Sequence, residues 1–155
     1  MIAQFNRLSS EEQEFMQKAP ILVAILIAGA DGDIDRSEIR EGMIQAEKKQ
    51  KNSSPAMTAL YGQISEDFED KLKIVLQDYP LEAGLRNERI SDELTRLNSI
   101  WPKVDQAFAV QYYQSISDLA LKIAQSSGGL LGLRSIGAAE AKYVKLPTVT
   151  NPANA

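Results

Sequence analysis

Apolar residues recur at three- and four-residue spacing along most of the chain, and no run alternates in the two-residue pattern of a strand. The pattern predicts an all-α domain of six or seven helices. Ser9 or Ser10 caps a first short helix, with Glu12 or Gln13 at the capping-box position. Pro20 fits the first turn of a second helix holding the apolar run Ile21–Ala30. A third helix starts at Arg36 and carries Ile39, Met43, Ile44 and Ala46 on one side. Asn52-Ser53-Ser54-Pro55 is a break, with Ser54 as cap and Pro55 in the next first turn. One stripe then runs through Met57, Leu60, Tyr61, Ile64, Phe68, Leu72 and Val75 to Tyr79-Pro80. A looser one follows at Leu81, Leu85, Ile90, Leu94, Leu97 and Ile100, ended by Trp101-Pro102. Asp105 caps the next helix, striped with Phe108, Tyr112, Ile116, Leu119 and Ile123. A glycine-rich loop at Gly128–Gly132 leads to a short helix around Ala138–Lys145. The expected domain covers 1–145, with 146–155 as a disordered tail.

The run Ile21–Ala30 is too short for a bilayer, which needs about 20 residues. No basic leader precedes it; Glu11, Glu12 and Glu14 do. It reads as a buried core helix with no membrane span, in a cytoplasmic protein. The chain has no cysteine and no histidine, which excludes disulfides, thiolate metal sites and the histidine-activated nucleophiles. Any bound metal must therefore be held by oxygen, which favours calcium, magnesium or manganese.

The net charge of −4 is uneven: residues 1–77 carry 9 basic and 13 acidic side chains, and residues 78–155 carry 8 of each. No face is obviously basic in the sequence, so a protein partner is expected and nucleic acid is not. The single basic cluster, Lys48-Lys49-Gln50-Lys51, sits where a helix ends and suits the negative end of its dipole.

The segment Ala30-Asp31-Gly32-Asp33-Ile34-Asp35-Arg36-Ser37-Glu38 follows the apolar run directly. Much of it is explained by a helix–turn–helix alone. Gly32 can take a left-handed conformation that closes the first helix, and Asp35 with Glu38 forms a capping box for the next. Ile34 and Ile39 have the hydrophobic-staple spacing. Asp31 and Asp33 are left over: a carboxylate at a helix carboxyl end is disfavoured, and the second repels the first. A hard cation held by Asp31, Asp33, Asp35 and Glu38 would resolve that conflict, and so would a docked partner. The site is no EF-hand, because Arg36 replaces the loop glycine at position 6 and Gly42 the glutamate at position 12.

A second copy is visible. Ile27–Gly32 can be laid on Ile123–Gly128, each followed by a glutamate, Glu38 in one and Glu140 in the other, which predicts two pseudo-repeated helix–turn–helix units close in space. On these residues the chain resembles the tellurite-resistance TerB-like family. The resemblance implies a compact helical domain, divalent-cation binding at an acidic surface, and a role in tellurite resistance or another stress response. The short turn without a bidentate glutamate predicts that calcium or magnesium binds weakly, and the module is expected to act through a protein partner. It implies no catalytic reaction. Ser127 stands where the pattern would place an aspartate, so the implied metal set is Asp31, Asp33, Asp35 and Glu38, with Glu140 as the second copy's contribution.

Three functions compete: a cation-binding module, a metal-free interaction domain docking through the acidic turn, and a metal-dependent hydrolase. The last needs polar groups converging from other helices, and Glu140 is the one candidate. GGLLGLRS lacks the lysine and the preceding strand of a P-loop. The chain is therefore expected not to be an enzyme.

Overall fold

The computed structural model describes residues 5–30, 32, 34–128 and 138–154, with the backbone alone at 127–128 and 138–140. The described residues form helices and their connections, without strands: α1 (Ser10–Ala28), α2 (Arg36–Gln50), α3 (Pro55–Ser65), α4 (Phe68–Gln77), α5 (Ala83–Leu94), α6 (Arg96–Ile100), α7 (Gln106–Gly128) and α8 (Ala138–Tyr143). Counting the five-residue α6 with α5 makes seven, as the periodicity predicts.

α1 is the axis of the domain. Every residue from Ala19 to Ala28 is buried, so this helix is apolar all round and is enclosed rather than laid on a surface. It is packed by α7, α5, α2, α3, α4 and α8. No described helix is long and apolar enough to cross a membrane. The two expected helix–turn–helix units touch, through α1 against α7 and α8 and through α2 against α7. The glycine-rich segment joining the second pair lies outside the described residues.

Four expectations from the sequence are corrected. The first concerns Pro20, which does not begin a second helix; it sits inside the continuous α1. A proline there removes the donor that would reach the carbonyl four residues back, Met16. The phenol of Tyr112 replaces it, donating to the Met16 carbonyl at 2.7 Å in the buried interior. Tyr61 joins the same interior network: its hydroxyl donates to Ser115 Oγ at 2.8 Å, which donates to the Tyr112 carbonyl at 2.7 Å.

The second correction is that the stripe from Met57 to Val75 spans two helices. Glu66 and Asp67 interrupt it, Asp67 being left-handed at φ 53°. The break frees the Gln63 carbonyl, and the ammonium of Lys71 donates to it. The third is that Leu81 and Leu85 are not core; they are 95% and 59% exposed. Tyr79, just before them, is buried and hydrogen-bonded to Glu93, with the cations of Lys18 and Arg89 over its ring at 5.2 and 5.3 Å. The anchor at Tyr79 and the buried Arg86 hold both ends of the 80–85 segment, so its leucines project outward.

The fourth correction is the tail. Residues 146–154 are packed, with Leu146 and Val149 buried. Trp101 Nε1 donates to the Thr150 carbonyl at 2.8 Å, Asn98 bonds the Thr148 carbonyl and the Thr150 N–H at 3.0 and 2.7 Å, and Thr148 donates to the Ser91 carbonyl at 2.8 Å. The sequence suggested disorder, but the Asn98 side chain on α6 and the tryptophan that follows satisfy backbone groups of the segment, and its own Thr148 hydroxyl ties it to the α5 backbone.

Candidate functional site

α1 ends at Gly29, whose N–H bonds back to Ile25 at 2.8 Å. Gly32 does adopt a positive φ, 105°, but it closes the turn beyond the helix, bonding the Gly29 carbonyl at 3.0 Å, rather than the helix itself. Glycine is needed at 29 for a different reason. A Cβ there would lie 2.6 Å from an Arg86 guanidinium nitrogen and 2.9 Å from Ile34. Ile34 thus folds over the helix end and starts the approach to α2.

Asp35 caps α2. Its Oδ1 accepts from Ser37 N–H at 2.9 Å, Ser37 Oγ at 2.5 Å and Glu38 N–H at 3.3 Å. These bonds, the Ser37 hydroxyl first, hold its carboxyl below the ordinary range. Arg40 pairs with Glu69 of α4. Asp31 and Asp33 lie outside the described residues, and of Glu140 only its place in α8 is described. Among the described residues no three carboxylates gather to hold a metal ion.

The group that sequence reasoning missed is Arg86. It is 4% exposed, and its Nη2 donates to the Gly29 carbonyl at 2.7 Å while Nη1 reaches the Leu81 carbonyl at 3.5 Å. A guanidinium here meets the negative end of the α1 dipole and supplies donors for carbonyls that the helix leaves free. Burial pushes its pKa down, and the Glu82 carboxylate opposes that shift. Glu82 itself caps α5, accepting from Gly84 and Leu85 N–H at 2.9 and 2.7 Å, and these bonds lower its pKa. The signal in the sequence was an arginine on the core stripe of α5, between Leu85 and Ile90.

Arg86 therefore ties the acidic turn to the amino end of α5. A Cβ on Gly32 would come within 3.9 Å of the Ala83 Cβ. The result is one continuous edge: the turn after α1, the Asp35 cap, the Glu82 cap, and two projecting leucines. Leu81 is the most exposed large apolar side chain among the described residues.

The class defined by these features is an all-helical domain wrapped around one buried helix. No family model matches the chain, and no curated protein or solved structure matches it either.

Proposed function

We propose that the protein is a non-catalytic interaction module that docks a protein partner through the edge formed by the acidic turn and the start of α5. The observation that carries this reading is Leu81 and Leu85, 95% and 59% exposed on either side of the carboxylate cap Glu82 and the first turn of α5. Exposed leucines held on rigid backbone lose little entropy when a partner covers them, and the flanking carboxylates select one with lysine or arginine around an apolar side chain. The test is amide NMR mapping with a helical lysine- and leucine-rich peptide. Shifts are expected at 29–36 and 80–86, and Leu81→Ser/Leu85→Ser is expected to abolish them without lowering the melting temperature. A peptide that binds the double variant equally well sinks the reading.

A second reading, divalent-cation binding at the same turn, is favoured by one observation. Asp35 commits only Oδ1 to its cap, and Oδ2 has no partner among the described residues. On this reading Asp31, Asp33 and Glu38 join it around calcium or magnesium, in keeping with the TerB-like resemblance. Calcium should then raise the melting temperature, by about 2.7 kcal/mol of added stability at a hundredfold excess over Kd. Asp31→Asn/Asp33→Asn should remove that gain; an unchanged melting temperature in calcium, magnesium and manganese sinks it.

A further inference from the structure

A groove of about 400 Å³ runs between α2 and α7. Its walls carry Lys48 and Lys49 from α2 and Lys122 from α7, gathered in a chain whose net charge is −4. The one carboxylate in the lining, Asp118, is already engaged. Lys49 donates to its Oδ2 at 2.5 Å and Gln114 to its Oδ1 at 2.9 Å. Lys48 and Lys122 have no ion-pair partner among the described residues.

Gln50 supplies the second, independent observation. It is 6% exposed and lines the groove; its Oε1 accepts from Ser53 Oγ at 3.0 Å, while its Nε2 donates to no described group. That nitrogen is not among the fully buried atoms left without a partner; it opens to the groove and can donate to a ligand there. The other polar group at this level, Ser115 Oγ, is closed by Tyr61 and Tyr112. The site thus offers two ammonium groups and one amide as unmatched donors. Beyond Gln50 it continues into a hollow of about 560 Å³ lined by Asn52, Ser53, Val110, Gln111 and Gln114, with the paired Lys49 and Asp118 at its border.

We propose that this groove binds a small anion of the diphosphate type, its oxygens held by Lys48, Lys122 and the Gln50 amide. Two cations on opposite walls match a ligand with at least two negative charges, and clustered oxygens accept from all three donors at once. The diphosphate is either free or part of a nucleotide whose nucleoside lies in the extension beyond Gln50.

The test is an amide NMR titration of the full chain with inorganic pyrophosphate, and in parallel with ADP, without added metal. Saturable shifts are expected at 42–50 and 115–122, including the Gln50 side-chain amide, with affinity falling as salt rises. Lys48→Gln/Lys122→Gln, both exposed, should keep its melting temperature and bind about tenfold more weakly. ADP binding as tightly as pyrophosphate assigns the free diphosphate; tighter binding with shifts at Asn52 and Gln111 assigns the nucleotide. No shift with either probe, binding insensitive to salt, or unchanged affinity in the double variant overturns the proposal.

Discussion

At its amino end α1 is closed by Ser9 and Glu12, three positions apart: Glu12 N–H donates to Ser9 Oγ at 3.1 Å and Ser9 N–H to Glu12 Oε1 at 2.9 Å. At its carboxyl end the Gly29 carbonyl is held by Arg86, 57 positions further along the chain. The first closure forms within one turn and needs only local backbone geometry. The second exists only when α5 is packed on α1, and it brings a nearly buried charge with it. One helix therefore has a locally determined end and an end set by the tertiary fold, and the candidate edge is built on the latter.

Removing the distant closure should have the largest effect. Arg86→Met keeps the stem but leaves two carbonyls without their charged donor, and urea denaturation should register a loss of about 3 kcal/mol. Its spectrum should show the turn at 29–36 disturbed while the amides around Ser9 stay in place. Disturbance at both ends would break the distinction between them.

Next comes the middle of α1, where Pro20 has the same long-range dependence. Tyr112→Phe strands the Met16 carbonyl and should cost about 2 kcal/mol. Pro20→Ala restores the missing donor, so the same tyrosine change should cost less in that background. A double-mutant cycle should give a coupling of about 1 kcal/mol; a coupling of zero would show that the phenol does not stand in for the missing N–H.

Ser9→Ala should cost ~1 kcal/mol and leave the 29–36 amides unmoved, which sharpens the contrast with Arg86→Met. The smallest effect is acid sensitivity. Glu12 and Glu82 are held below their ordinary 4.5, and Asp35 below 3.8, by hydrogen bonds to their carboxylates, those from Lys103, Leu85 and the Ser37 hydroxyl foremost. A depressed folded-state pKa stabilises fully above the ordinary value and is lost as pH falls through the folded one. The melting temperature should therefore drop below about pH 4, with Glu12→Gln removing the amino end's share and Glu82→Gln the other's.

The same contrast explains what could be read from the sequence. The caps at Ser9, Asp35 and Ser54 and the stripes from Phe108 to Ile123 are local patterns, and the structure has them where the spacing places them. Arg86 with Gly29 and Tyr112 with Met16 are separated by 57 and 96 residues, beyond any periodicity. Leu81 and Leu85 fit a helical stripe in spacing and still face outward, because their neighbours Tyr79 and Arg86 took the buried places. At the candidate site, Asp35 was legible as a cap, whereas its link to α5 depended on Arg86. The basic groove was hidden likewise, since Lys122 meets Lys48 and Lys49 only when α7 lies beside α2.

The 146–154 strap has a spectroscopic consequence. Trp101 is the chain's one tryptophan, and its indole N–H is held by Thr150 while its ring meets Tyr112 edge-on at 5.8 Å. Its fluorescence responds to the seating of the strap as well as to the closing of the core. If the strap lifts before the core opens, intrinsic fluorescence will change ahead of the helical circular dichroism signal in denaturant. Coincident curves would mean that the strap and the buried helix melt as one cooperative unit.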